Sequence, residues 1–242
     1  MAANRQTTIK ESEMKTTASN VIRWSGLAAL AAGIIFAAIQ PIHPPDVLAS
    51  VSTDTWAIIT PIKTVMAFLF LLGITGLYAR QVNKAGWLGL AGFLLLSLCW
   101  SLQMAFIFAE AFIFPPLATA APQFVEGLLA VVSGQPTETN LGALPALFAL
   151  AGGLYMLGGL LFGIATFRAG ILSRWAAGLL AVASTLTPMA ALLPHELQRL
   201  AGMPVGLAIA WLGYALWSEQ RAKTAESLPE MGSPQLRQSV AK

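Results

Sequence analysis

The sequence predicts an all-α fold, a polytopic transmembrane bundle of six helical spans with both termini on the cytoplasmic side. Three observations carry this. Of 242 residues, 56% are hydrophobic and only 10% are charged, against roughly 25% charged in an ordinary soluble domain. Six stretches are close to the roughly 20 apolar residues that cross a hydrocarbon core, or exceed them: residues 21–41, 56–79, 87–114, 141–167, 175–193 and 200–217. Lysine and arginine gather at alternate ends of those stretches. The composition excludes a disordered chain, a nucleic-acid binder and an ordinary water-soluble enzyme. None of the stretches alternates with period two, so a β-barrel is disfavoured.

The first span follows a polar segment containing Glu11 and Glu13. A signal peptide opens on a short basic segment instead. Residues 21–41 therefore read as an uncleaved first span behind a flexible tail, residues 1–20. A second flexible tail is expected at 218–242, where Pro229 and Pro234 interrupt a polar run.

Basic residues set the orientation. With the N-terminus in the cytoplasm, all of the 14 lysines and arginines except Lys63 and Arg199 fall on the inner side. The outer ends carry Asp46, Asp54, Glu126, Glu138 and Glu196. Trp24, Trp87 and Trp175 open spans one, three and five, while Tyr78 and Trp217 close spans two and six. Such amphipathic rings favour the headgroup level. The odd spans begin alike, and their outer ends are proline-rich at Pro41, Pro44, Pro45, Pro115, Pro116 and Pro194. This pattern suggests one helical hairpin written three times. The demands of topology on any inside-to-outside helix explain it equally.

Residues 115–140 form the longest outer connection. Phe124, Leu128, Leu129, Val131 and Val132, bounded by Pro122 and Gly134, suit an amphipathic helix. It would cap a cavity or serve as an interfacial connector. In span five, Pro188 predicts a kink, with Thr185 and Thr187 placed to satisfy freed backbone groups.

Lipid removes the hydrophobic drive between helices, so close backbone approach must supply attraction. Gly159 and Gly163 on span four, and Gly202, Gly206 and Ala210 on span six, offer it as helix-packing stripes. They would serve packing within the chain or a homo-oligomer seam.

Ionisable groups inside a span are costly and mark functional candidates. Lys63 lies about 10 Å below the outer interface, and Glu110 roughly 6 Å from the outer end of span three, at about 1.5 Å per residue. Spans two and three are consecutive, so the two can meet. Gln103 lies two turns deeper than Glu110 on nearly the same face. Thr60 and Thr64 flank Lys63. His43 and His195 sit at the outer ends of spans one and five. These five residues, Lys63, Glu110, Gln103, His43 and His195, are the candidate ligand-binding set, suited to an anionic or zwitterionic solute or to proton passage. The alternative is that Lys63 snorkels to the headgroups or forms a purely structural pair.

No catalytic motif is present. His195-Glu196 begins a metalloprotease pattern, but Arg199 occupies the second ligand position and cannot bind zinc. No phosphate loop and no nucleophile elbow occur. No catalytic residue, metal site or cofactor is expected. The lone Cys99 lies in an apolar run and cannot form an internal disulfide.

The segments 73–80 (Gly-Ile-Thr-Gly-Leu-Tyr-Ala-Arg) and 167–175 (Phe-Arg-Ala-Gly-Ile-Leu-Ser-Arg-Trp) make the chain look like small six-span bacterial membrane proteins, implying the inner membrane. The sequence thus favours a non-enzymatic structural or accessory membrane component. Its partners would be the lipid bilayer, other membrane subunits or a second copy of the chain, and no nucleic acid. The alternative is a small-solute or proton transporter with an outward-opening polar cavity around Lys63 and Glu110.

Overall fold

The computed structural model describes the backbone of residues 2–192 and 195–226, and side chains over 19–187, 189–190 and 197–221. Among the described residues every regular element is helical. The chain opens with α1 (Ala2–Ile39) and the single turn α2 (Leu48–Val51), followed by α3 (Asp54–Phe112), α4 (Phe114–Ala120) and α5 (Pro122–Val132). Then come α6 (Leu144–Ala169), α7 (Arg174–Leu186), the short α8 (His195–Gln198) and α9 (Met203–Glu226).

As a straight rod, the 59 residues of α3 would reach about 90 Å at 1.5 Å per residue. The helix breaks instead at Gly86, where φ is 58° and ψ −164°, a region essentially reserved for glycine. The chain reverses there. Tyr78 stacks on Phe93 with centroids 4.6 Å apart, and Phe70 on Trp100 at 3.7 Å. Farther out, the Trp56 indole N–H donates to the Glu110 carbonyl at 3.1 Å. These pairs lie nearly symmetrically about Gly86, so residues 54–85 and 87–112 are antiparallel arms. They correspond to the second and third expected spans.

Helix ends follow local chemistry. The Thr53 hydroxyl accepts from Trp56 N at the start of α3, and Ser173 accepts from Ala176 N at the start of α7. These caps satisfy otherwise orphaned donors. Gly170 takes the left-handed conformation that ends α6.

Two expected boundaries shift. The segment 1–20, expected as a tail, belongs to α1 from Ala2 onward. At the other end α9 continues to Glu226, and residues 227–242 of the expected second tail lie outside the described residues. The expected span 175–193 is α-helical for only 13 residues and then tightens to a 3-10 helix over Thr187–Leu192. Pro188 has no N–H to continue the ladder. The Thr185 hydroxyl turns back to the Ala181 and Val182 carbonyls, and that of Thr187 to Ala183.

Among the described residues, four helices are long and apolar enough to cross a membrane: Ser19–Ile39, Asp54–Phe112, Leu144–Ala169 and Arg199–Arg221. The second contains both arms of the hairpin. The helices close into a ring: α1 packs on α3, α3 on α6, α6 on α7, α7 on α9, and α9 returns to α1. Small residues make these seams tight. A Cβ on Gly206 would stand 2.8 Å from the Gly33 carbonyl, and one on Gly26 2.8 Å from Trp217 N. Gly163 lies against the Ala177 and Ala181 backbone, Gly159 against Ser184, and Gly202 against the Phe36 and Gln40 side chains. Ala210 is buried where Gly33 approaches α9. The glycine stripes of spans four and six thus face neighbours within the chain.

The bundle's exterior is apolar. Trp87 and Trp175 are 78% and 81% exposed, and Trp24, Ile58, Val65 and Leu94 are also exposed. An apolar surface this extensive is costly in water.

Candidate functional site

Away from Gly86, the bundle end formed by the mouth of the α3 hairpin and the segment after α1 brings together Lys63, Glu110, Asp46 and Arg199. Lys63 Nζ donates to both Glu110 carboxylate oxygens, each at 2.6 Å. His43 Nε2 lies 2.8 Å from the same nitrogen and 3.3 Å from Glu110 Oε1. His43 Nδ1 is 2.7 Å from the Pro44 carbonyl. A carbonyl only accepts, so Nδ1 carries the hydrogen, and in the neutral ring Nε2 is free to accept from Lys63. The ammonium thereby uses all three of its donors.

Sequence explains the convergence. Lys63 and Glu110 sit on opposite arms at matching distances from Gly86. His43 is delivered by the proline-rich turn after α1, where its backbone N–H donates to the Ile39 carbonyl at 2.9 Å. Trp56 is fully buried and supports the group twice. Its indole holds the Glu110 backbone, and its ring meets the His43 imidazole edge-on at 5.9 Å. The His43 side chain is 2% exposed, Glu110 15% and Lys63 16%. At such burial a charge persists only when paired.

A second ion pair stands beside the first, Arg199 Nη2 donating to Asp46 Oδ2. His43, Asp46 and Glu110 bring three potential metal-ligand atoms within 4.8 Å of one another. The Lys63 ammonium binds two of those three groups and Arg199 the third, so the protein's own cations supply the positive charge.

These residues form one rim of a cavity of about 1000 Å³. Its polar lining there includes Asp46, Lys63, Glu110, Arg199, Gln40, Gln103 and Gln198. Deeper in, its walls are aromatic and aliphatic. Phe36, Met66 and Trp100 line the α1 and α3 side, and Phe106 stacks on Phe148 at 4.0 Å between α3 and α6. Tyr155 and Thr187 also reach it. From the connection between α3 and α6, Phe124, Leu128, Leu129 and Val132 of α5 cover part of it.

Of the residues singled out from sequence, Lys63, Glu110 and His43 come into direct contact, and Gln103 lines the same cavity. The side chain of His195 lies outside the described residues. Thr60 and Thr64 turn their hydroxyls back to the Trp56 and Thr60 carbonyls of their own helix. Sequence reasoning missed Asp46, Trp56 and Tyr155 as parts of the site. Arg199 did leave a signal, as one of two basic residues on the side assigned to the outer face, with Asp46 on that side to receive it. Tyr155 left none, because a tyrosine in an apolar helix reads as packing.

No protein family, curated protein or solved structure matches this chain in the comparisons made with each.

Proposed function

We propose that the protein is a non-enzymatic integral membrane protein of the bacterial inner membrane that holds a small molecule in the cavity beside Lys63 and Glu110. In this reading the bundle crosses the bilayer six times, with α7 and its 3-10 extension as the fifth segment and both termini cytoplasmic. The cavity then occupies the outer half. Four long apolar helices, an apolar exterior and the distribution of lysine and arginine support the membrane placement.

The observation that carries the binding role is the pairing itself. Two ion pairs are kept at the wall of a chamber of about 1000 Å³, at the top of the size range of small-molecule sites. Charges within apolar helices are costly and are retained mainly where they serve a function. A purely structural or accessory role rests on the scarcity of buried polar groups and on the small-residue stripes. Those stripes close seams inside the chain, which leaves the chamber without a structural explanation.

Accessibility tests this reading. In a Cys99→Ala background, Gln103→Cys should react with a membrane-impermeant maleimide added to the outside of intact cells. Failure to react from either side would remove the chamber as a binding site, and reaction from the cytoplasmic side alone would invert it. Reporter tags at Met1 and Lys242 should both read cytoplasmic, and opposite compartments would overturn the six-span threading.

A further inference from the structure

We propose that the chamber takes an uncharged lipophile whose oxygen accepts a hydrogen bond from Gln103 or Tyr155, an aromatic or conjugated carbonyl compound. This rests on the chamber being a binding site and names the chemistry it selects.

The charges on the wall argue for neutrality. The charged residues lining the chamber, among the described residues, are Asp46, Lys63, Glu110 and Arg199. They are matched two against two, and Lys63 has no donor left after Glu110 and His43. A ligand carboxylate at Lys63 would have to displace Glu110, stranding one buried anion to seat another, and one on the remaining N–H groups of Arg199 would add an anion with no cation to match it. A ligand ammonium would likewise displace Lys63 or stand beside Asp46 as an unmatched cation. Each outcome leaves an uncompensated charge in an apolar enclosure, the costly case for a buried charge. An uncharged molecule leaves both pairs intact.

The remaining polar groups argue for an acceptor. Gln103 lines the chamber and makes no hydrogen bond among the described residues. The Tyr155 hydroxyl is buried beside Thr187 and completes no hydrogen bond among them either. The Thr187 hydroxyl donates to the Ala183 carbonyl and keeps lone pairs to accept, but its placement does not complete a hydrogen bond from Tyr155. A buried hydroxyl without a partner is costly, and most such groups in proteins are satisfied. A carbonyl oxygen in the chamber would accept from Tyr155 O–H or from the Gln103 amide. The stacked Phe106 and Phe148 mark a common level of α3 and α6. Gln103 lies about 4.5 Å inward of it and Tyr155 about 10.5 Å inward, at 1.5 Å per residue. The two donors thus serve different depths of one chamber. Phe36, Trp100, Phe106 and Phe148 line the same chamber, aromatic rings suited to an aromatic body.

Calorimetric titration of the full chain in lipid nanodiscs, with empty discs as the baseline, tests this with four probes of one shape: decyl phenyl ketone, decylbenzene, 4-decylbenzoate and 4-decylbenzylammonium. The ketone should bind about fivefold tighter than decylbenzene, the gain expected of one neutral hydrogen bond, and tighter than either charged probe. Whichever of Tyr155→Phe and Gln103→Leu removes the donor in use should weaken the ketone about fivefold and leave decylbenzene unchanged. Equal binding of ketone and hydrocarbon, tighter binding of a charged probe, or an unaltered ketone affinity in both variants would overturn the inference while leaving the chamber a binding site. Heats no greater than those of empty discs for all four probes would overturn the chamber reading as well.

Discussion

Lys63 and Glu110 are 47 positions apart in the chain, yet Lys63 Nζ lies 2.6 Å from each carboxylate oxygen of Glu110. The contact is a product of the hairpin. Two arms fold back at Gly86, and Lys63 on one arm meets Glu110 at nearly the same distance along the other. His43 completes the group from outside the hairpin, which ties the turn after α1 to both arms of α3.

This pairing makes a thermodynamic prediction. Lys63→Met alone, or Glu110→Gln alone, leaves one partner without its counter-charge, and each should destabilise by about 2–4 kcal/mol, somewhat reduced by partial exposure. The double variant should recover much of the loss. Reversible unfolding of the four proteins in mixed micelles gives the cycle, and an expected coupling of about 1–3 kcal/mol. Additive single effects would show that the pair contributes nothing as a pair.

Gly86 should resist substitution for a backbone reason alone. No atom lies within 4 Å of a Cβ placed there, so sterics with neighbours are absent. Its φ of 58° with ψ of −164° nonetheless costs a residue with a side chain about 1–3 kcal/mol. Gly86→Ala should therefore lower the thermal midpoint, although the new methyl group points into open space. An unchanged midpoint would mean that the reversal tolerates another conformation.

The seam between α1 and α9 predicts a contrast between two glycines of the same chemical change. A Cβ on Gly33 would overlap the Gly206 carbonyl and the Ala210 backbone, whereas one on Gly152 meets nothing within 4 Å. Gly33→Ala should force the helices apart and destabilise by about 1–3 kcal/mol, as overpacking does. Gly152→Ala should be neutral or stabilising by up to about 1 kcal/mol, the helix-propensity gain of alanine over glycine. Chemical denaturation of both variants side by side reads the difference directly.

The opposite end of the bundle is held by a second set of ties. Arg80 grips the Glu219 carboxylate with two donors, at 3.0 Å from Nε and 2.5 Å from Nη2. Ser19 donates to Gln220 at 3.2 Å, and Gln81 to Thr166 at 2.7 Å. The Arg80 pair is about a quarter exposed, so screening by solvent limits its worth. Arg80→Lys, which loses the bidentate fork, should cost about 0.5–1 kcal/mol. That loss should shrink as salt is raised in the unfolding assay. A loss independent of salt would point to packing of the arginine stem instead.

The helical character of the chain and its long apolar helices were legible because they depend on composition summed over many residues. The positions of Lys63 and Glu110 were legible for the opposite reason: single charges stand out against an apolar background, and consecutive spans of similar length invite a meeting. His43 was singled out as a residue at a span end, but its place between the two charges was not. That depends on how the turn through Pro41, Pro44 and Pro45 aims the ring. Tyr155 and Trp56 were illegible as site residues, since an aromatic ring in an apolar helix carries the same local signature in a core, at a cavity wall or facing lipid.

By itself the sequence determined which segments are helical and apolar, where charge is concentrated, and where glycine permits a turn or a close approach. Periodicity and residue chemistry act within a few turns of the chain, and those properties are local. Tertiary structure alone decided that α9 closes the ring against α1, and that two ion pairs and Tyr155 border one chamber. Each of these depends on which faces of distant helices come together. Long-range packing selects among many arrangements that share the same local pattern.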